Sequence, residues 1–273
     1  MLCRKKRHMF LQRALRGSLA LVLVGGLVSF SLAVVSTARS QSVQQAEIGP
    51  EALDALKRMG KTLAAKQFSF QSRTFRAYAG PNGELLHIAH TSKIMYRRPD
   101  RLSVSVTGDD GSIKILFDGT TLVLYGAEQK QYVSLPVTGG IDKALDLLEE
   151  RTGTDFPLSD LLSDDPAEAV ASGITSGGKV GTSIIDGVRC NHFFFIQAVD
   201  DLELELWLED NEGALPRRFV VTYRSLPGRP IFVADLSDWD FSIQSLDSDF
   251  IFQPPPGVAQ VELKASAAPV PPK

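Results

Sequence analysis

From Phe68 onward, apolar residues fall on every second position in one run after another, and that alternation restricts most of the chain to half-buried β-strands. Phe68 and Phe70 flank Ser69. Leu86, Ile88, Ile94 and Tyr96 share one parity, Leu102, Val104 and Val106 alternate with polar residues, and Ile113, Ile115 and Phe117 follow. The run 201–209 is the cleanest, with Leu202, Leu204, Leu206 and Leu208 on one face and Glu203, Glu205 and Trp207 on the other. Segments 180–185, 188–197, 217–223 and 231–243 read the same way, the last placing Trp239, Phe241 and Ile243 on one face. Trp207, a tryptophan among glutamates, reads as a cross-strand packing residue against Tyr223 or an aliphatic stem.

Turn chemistry separates these runs. Gly80-Pro81-Asn82-Gly83, Gly108-Asp109-Asp110-Gly111, Asp118-Gly119 and Asp186-Gly187 are hairpin signals. Together with the alternation they predict an antiparallel meander, and an α+β, mainly β, fold. Before it, Leu53, Leu56, Met59, Leu63 and Ala64 recur at three- and four-residue steps after Gly49-Pro50, which predicts one amphipathic helix in 48–68. A break at 139–171, with Ile141, Leu145, Leu147 and Leu148 at helical spacing and acids at Asp164, Asp165 and Glu168, predicts a helical insertion between two strand sets. Residues 265–273 are rich in Pro and Ala and read as a disordered tail.

Residues 1–40 carry seven Lys and Arg, no acid, an apolar stretch over 19–35 and then small residues around Ala38. This is a signal peptide pattern, with an N-terminal anchor in the inner membrane as the alternative. Export to the periplasm is the expectation, with a single domain over 41–264. Removing the segment leaves 22 of the 29 Lys and Arg against 32 Asp and Glu, a formal charge of −10. An acidic body without a basic stripe excludes nucleic acid as a partner. Cys190 is then the sole cysteine, so stability rests on the core and not on a disulfide.

Nothing in the remaining residues forms a catalytic centre. His87 and His90 are three apart in a strand and face opposite ways, which argues against a shared metal. There is no Gly-x-Ser-x-Gly elbow, and Ser172-Gly173 and Ser176-Gly177-Gly178 read as loop. Cys190 and His192 share a strand face, but the adjacent Phe193, Phe194 and Phe195 point to a buried, unreactive thiol. No dinucleotide or phosphate-binding fingerprint occurs, so no cofactor is expected and the chain reads as a non-enzyme.

Three segments carry a family resemblance: Tyr96-Arg97-Arg98-Pro99-Asp100-Arg101-Leu102, Phe117-Asp118-Gly119-Thr120-Thr121-Leu122-Val123-Leu124-Tyr125, and Phe250-Ile251-Phe252-Gln253-Pro254-Pro255-Pro256-Gly257-Val258. In this order they resemble the periplasmic lipoprotein-carrier superfamily, and more closely a related family of predicted periplasmic proteins of unknown function. The resemblance implies a half-open β-barrel, a curved antiparallel sheet covered by helices. It also makes Arg98 a candidate gate residue that holds a helical lid over the apolar face. The insertion at 139–171 and the strand pair around Asp186-Gly187 depart from the carriers.

A sheet with one continuous apolar face must bury it against helices, a second sheet or a ligand. By strand parity the candidate ligand-wall residues are Phe68, Phe70, Ile94, Tyr96, Leu102, Val104, Leu204, Leu206, Phe219 and Val221. Parity alone does not separate a cavity wall from a filled core. The first expectation is a periplasmic binder of a lipid, acyl chain or lipoprotein. The alternative is an envelope protein-interaction or stress-sensing module that carries no lipid.

Overall fold

The structure is a computed structural model that describes residues 47–79, 84–153 and 156–263. The signal segment, the turn at 80–83 and the tail at 265–273 lie outside the described residues.

Helix α1 (Pro50–Leu63) opens the described chain. Proline in its first turn, Glu51 near its N-terminus and Lys61 in its last turn suit the helix ends. Its inward face is Ala52, Ala55, Leu56, Met59, Gly60 and Leu63, which keeps Leu56, Met59 and Leu63 of the sequence reading, whereas Leu53 is 36% exposed and Ala64 lies exposed just past the helix end. The helix stops before Phe68 because the period changes to two at that point. Strands β1 (Gln67–Ala79), β2 (Leu85–Arg97), β3 (Arg101–Gly108), β4 (Gly111–Phe117), β5 (Thr121–Gly126) and β6 (Gln131–Pro136) then pair in succession, each antiparallel to the last.

The insertion follows as α2 (Ile141–Thr152), a 3-10 turn at Ser159–Leu162 and α3 (Pro166–Ala171), which Asp165 caps by accepting from the Glu168 N–H. A second antiparallel series comes next: β7 (Ile174–Ile185), β8 (Val188–Gln197), β9 (Leu202–Glu209), β10 (Pro216–Tyr223) and β11 (Ile231–Asp240). The two series are not separate sheets. β1 pairs antiparallel with β11, through register pairs such as Arg73 with Asp235 and Phe75 with Val233. The result is one twelve-stranded sheet in the order β12-β6-β5-β4-β3-β2-β1-β11-β10-β9-β8-β7, where β12 (Ala259–Gln260) lies parallel to β6. The Asp186-Gly187 hairpin, both residues at positive φ, is thus the last turn at one edge of a shared sheet.

One expectation needs correction. Ser176-Gly177-Gly178 is strand, not loop, and β7 starts at Ile174. Glycine is tolerated there because the space is already occupied: a Cβ on Gly177 would lie 2.5 Å from both the Phe194 carbonyl oxygen and the Phe195 ring.

The inner face of the sheet carries the core. In register across the strands, Phe68 faces Tyr96, Tyr96 faces Leu102, Leu102 faces Phe117 and Phe117 faces Leu122. Beyond β1 the rows continue as Ala234, Phe219, Leu206 and Phe193, and as Phe232, Val221, Leu204 and Phe195. The apolar faces of α1 and α2 close over them in one contiguous cluster. Each buried Leu or Phe contributes about 1.5–3 kcal/mol relative to exposure, so the continuity of the cluster is what secures the fold.

The outer face is covered over one half by residues that follow β11. Phe250, in a 3-10 turn at Asp247–Phe250, is buried there, as are the outward Leu116 and Val123. The Arg97 guanidinium lies 5.0 Å from the Phe250 ring and is ion-paired with Asp247. Phe252 rests on Tyr125 and Tyr132 at 5.1 and 5.0 Å. The other half, β7 to β11, has no such cover among the described residues.

Candidate functional site

All ten candidate wall residues stand on the inner face, and nine are buried, with Val104 partly so. Two aromatic groups organise the centre. Phe68 meets Tyr96 at 5.1 Å, Trp239 at 5.9 Å and Phe241 at 5.5 Å, and Phe70 stacks on Trp239 at 4.3 Å. The Tyr96 hydroxyl is buried without a hydrogen-bond partner, and burial pushes its pKa well up, so it stays a neutral phenol in an apolar setting. In this conformation the helices fill the space above the wall residues. Two grooves that stand out, of about 330 and 240 Å³, lie on the far side of the helical layer, between α1 and α3, with Lys57, Asp165 and Ala167 lining both.

One short turn ties the helical layer down. Arg98, just after β2, donates through its guanidinium to the Leu63 carbonyl at 3.1 Å, the Ser163 carbonyl at 2.8 Å and the Asp164 carboxylate at 3.2 Å. Its backbone N–H donates to the Lys66 carbonyl at 2.8 Å, and the Pro99 carbonyl accepts from the Ile141 N–H at 3.3 Å. The end of α1, the start of α2 and the segment before α3 therefore all meet at Arg98-Pro99. The guanidinium also lies over the Tyr96 ring, 5.1 Å from its centroid. Leu63 closes α1, so its carbonyl sits at the negative end of the helix, where a cation is favoured. Asp142 in the first turn of α2 shares this corner. Burial and the nearby Asp164 raise its pKa, while the Asp164 N–H and Arg98 oppose the rise.

Elsewhere α1 is fixed to the second strand series. Glu51 pairs with Lys179 at 2.6 Å, Arg58 donates to the Asn211 carbonyl at 2.6 Å, and Thr62 donates to the Gly213 carbonyl at 2.7 Å. α1 and α3 cross closely at Gly60, where an added Cβ would come within 2.4 Å of the Ala167 Cβ.

Residues 52–264 match the family described as Predicted periplasmic protein (DUF2092). The chain belongs to this family. Membership places it in the periplasm, and no described helix is long and apolar enough to cross a membrane. No curated protein sequence matches this DUF2092 chain. It is similar in structure to MucB, at 15% identity and a TM-score of 0.41 over 75% of this chain, and it spans 64% of the MucB chain. It is also similar to the lipoprotein LppX of Mycobacterium tuberculosis, at 16% identity and a TM-score of 0.43 over 72% of this chain and 99% of LppX. A third similar structure is LprF of Mycobacterium bovis, at 14% identity and a TM-score of 0.45 over 72% of this chain and 97% of LprF.

The remaining candidates in this DUF2092 protein are dispersed. His87 stacks on Phe75 at 4.8 Å, and His90 meets Asp110 at 2.7 Å on the opposite face. Cys190 is fully buried, and desolvation and Glu209 raise its pKa, which leaves a poor nucleophile. It lies on the outer face opposite Glu209, and not among the core phenylalanines. His192 shares that face but stacks on Trp207 at 3.9 Å and bonds Glu205 at 2.8 Å. Trp207 is thus a cross-strand packing residue, also 5.9 Å from Arg218. Tyr223 is not its partner, because Tyr223 opposes Leu202 on the inner face.

Sequence reasoning missed Arg76. It occupies an inner-face position of β1, in register with Ile88 and Phe232, at the end of the strand away from Arg98. Its guanidinium lies 5.4, 5.7 and 6.0 Å from the rings of Tyr78, Tyr223 and Phe232, and it donates to the Tyr223 hydroxyl at 3.1 Å. The available signal was an arginine of the same parity as Phe68 and Phe70.

Proposed function

We propose that this protein is a non-enzymatic periplasmic binder of a hydrophobic ligand, a lipid, an acyl chain or a lipoprotein, taken up between the curved sheet and its helical layer. The observation that carries the reading is the convergence on Arg98-Pro99: the layer over a continuous apolar face is gathered onto one turn at one end of the sheet. Because α1 is also held to the second strand series through Glu51, Arg58 and Thr62, opening would move α2 and the segment before α3 about this corner while α1 stays on the sheet. Phe68, Phe70, Ile94, Tyr96, Leu102, Val104, Leu204, Leu206, Phe219 and Val221 would line the space so opened, with Arg98 as its gate. Apolar burial at about 25 cal/mol per Å² would hold the ligand.

A second reading, an envelope protein-interaction module without lipid, draws support from the edge strand β7, where Val180 and Ile184 are 62% and 64% exposed. Native mass spectrometry of protein purified gently from the periplasm, with solvent extraction and lipid analysis, decides between them. A stoichiometric lipid or acyl species supports the first reading. A clean apo mass with no uptake of fluorescent fatty acid sinks it.

A further inference from the structure

Near Arg98 the inner face is apolar with one exception. In register across the strands the row reads Phe68, Tyr96, Leu102, Phe117 and Leu122, and every one of these side chains is fully buried. Tyr96 alone brings a polar atom into it. Four buried side-chain polar atoms of the described residues lack a hydrogen-bond partner, and two of them, the Tyr96 hydroxyl and Arg98 Nε, belong to this corner. The Arg98 guanidinium lies 5.1 Å from the Tyr96 ring centroid. Its two terminal nitrogens are committed to Leu63, Ser163 and Asp164, which leaves Nε as the unused donor. The other two orphaned atoms, Ser183 Oγ and Asn191 Oδ1, stand apart on β7 and β8.

A buried hydroxyl without a partner carries the penalty of a lost hydrogen bond. Phenylalanine in its place would keep the ring contact with Phe68 at 5.1 Å and carry no such penalty. An atom of this kind has a use once a polar group reaches it. A phenol O–H donates, and the Arg98 Nε–H can only donate, so the group that satisfies both is an acceptor oxygen. Charge narrows the class further. Burial opposes ionisation of Tyr96, Arg98 favours it, and Asp164 and Asp142 oppose it again, so these are the charges that act on the hydroxyl. Two carboxylates against one guanidinium disfavour an anion, whereas a neutral ester or amide carbonyl brings the acceptor without a charge. Away from the corner the apolar surface continues along the inward positions of β2 and β3, where Ile94 pairs with Val104 and Val106 follows.

We propose that the Tyr96 hydroxyl and Arg98 Nε form the donor site for the ester or amide carbonyl of an uncharged acyl ligand, whose chain runs from this corner over Ile94, Val104 and Val106. This inference rests on the hydrophobic-ligand reading and adds to it the ligand's polar group, its neutrality and its orientation. Tyr96 is then the residue that tells an acyl ester from a bare hydrocarbon, and the carbonyl reaches it when α2 and the segment before α3 move away from the corner.

The test compares the full mature chain with Tyr96→Phe, each titrated with methyl laurate, laurate and tetradecane. Tryptophan fluorescence reports binding, since Trp239 stacks on Phe70 at 4.3 Å and lies 5.9 Å from Phe68. Tyr96→Phe should bind methyl laurate about ten-fold more weakly, the scale of one buried hydrogen bond, and tetradecane as before. The wild-type chain should bind the ester more tightly than laurate. Without ligand, Tyr96→Phe should melt no lower than the wild type, because the hydroxyl it removes has no partner in the closed state. With methyl laurate isotope-labelled at the carbonyl carbon, the infrared carbonyl band should fall in frequency on binding to the wild type and recover in Tyr96→Phe. An unchanged ester affinity in Tyr96→Phe, a lower melt without ligand, an unmoved carbonyl band, or laurate bound as tightly as the ester overturns the carbonyl site while leaving the apolar-ligand reading in place. Binding of none of the three overturns both. Should Tyr96→Phe not fold, the carbonyl band in the wild type decides alone.

Discussion

Arg98 and Arg76 make an instructive pair. Arg76 lies on β1 and Arg98 in the turn between β2 and β3, and both place a guanidinium over aromatic rings. Arg98 spends its donors on main-chain carbonyls at Leu63 and Ser163 and on Asp164, groups that belong to the helical layer. Arg76 makes its ring contacts and its bond to Tyr223 with residues of the sheet itself. The same residue type thus does two jobs according to what covers it. Where helices arrive, it secures them, and at Arg76 it ties neighbouring strands of the sheet together.

If that contrast is right, the two arginines differ most in stability. Arg98→Ala should lower unfolding free energy by about 2–4 kcal/mol, since it deletes charged hydrogen bonds and orphans buried carbonyls. Hydrogen exchange should then quicken in α2 and α3 before it does in β1 and β2. Uniform acceleration would break the comparison. Gly60→Val should come next, at about 1–3 kcal/mol from overpacking against Ala167, and a calorimetric melt with unchanged exchange in β1 would place the damage at the helix crossing. Arg76→Met should cost about 1–2 kcal/mol, because it deletes the ring contacts and the hydrogen bond to Tyr223, with no change in helical exchange.

Asp142 gives the smallest effect and has a definite sign. Its carboxyl is raised above the ordinary value of 3.8 in the folded protein, so the folded state favours its protonated form. Its contribution is fullest below 3.8 and is lost as pH rises through the raised folded value. Asp142→Asn should therefore flatten the decline in melting temperature over that acidic window and slightly tighten α2 at neutral pH. A variant with an unchanged pH profile would remove Asp142 from the corner's electrostatics.

Much of the fold was legible in the residues. The run Leu202, Leu204, Leu206, Leu208 fixed its own inward face, and Gly49-Pro50 marked the start of α1. What was not legible is long range. The pairing of β1 with β11 joins residues more than 150 positions apart, and no local pattern encodes it. The covering of the outer face by Phe250 and Phe252 did leave a trace, in Ile115-Leu116-Phe117 and Leu122-Val123-Leu124, where apolar residues run without alternation because both faces are buried. For the site, parity located the wall and resemblance singled out Arg98. Arg76 was overlooked because a charge at an inward position yields its meaning only once the strands beside it are known.

The strand order carries a mechanical consequence. The segment from Pro136 to Ile174 starts on β6 and ends on β7, which stand ten strand intervals apart in the sheet. Laid flat, that is an arc of about 48 Å, and the connecting segment runs between its ends as a string joins the tips of a bow. Flattening the sheet stretches the string and tightening its curl slackens it. An object wedged beneath the string must therefore also change the bend of the bow, and strain at β6 and β7 becomes a gauge of what lies in the middle.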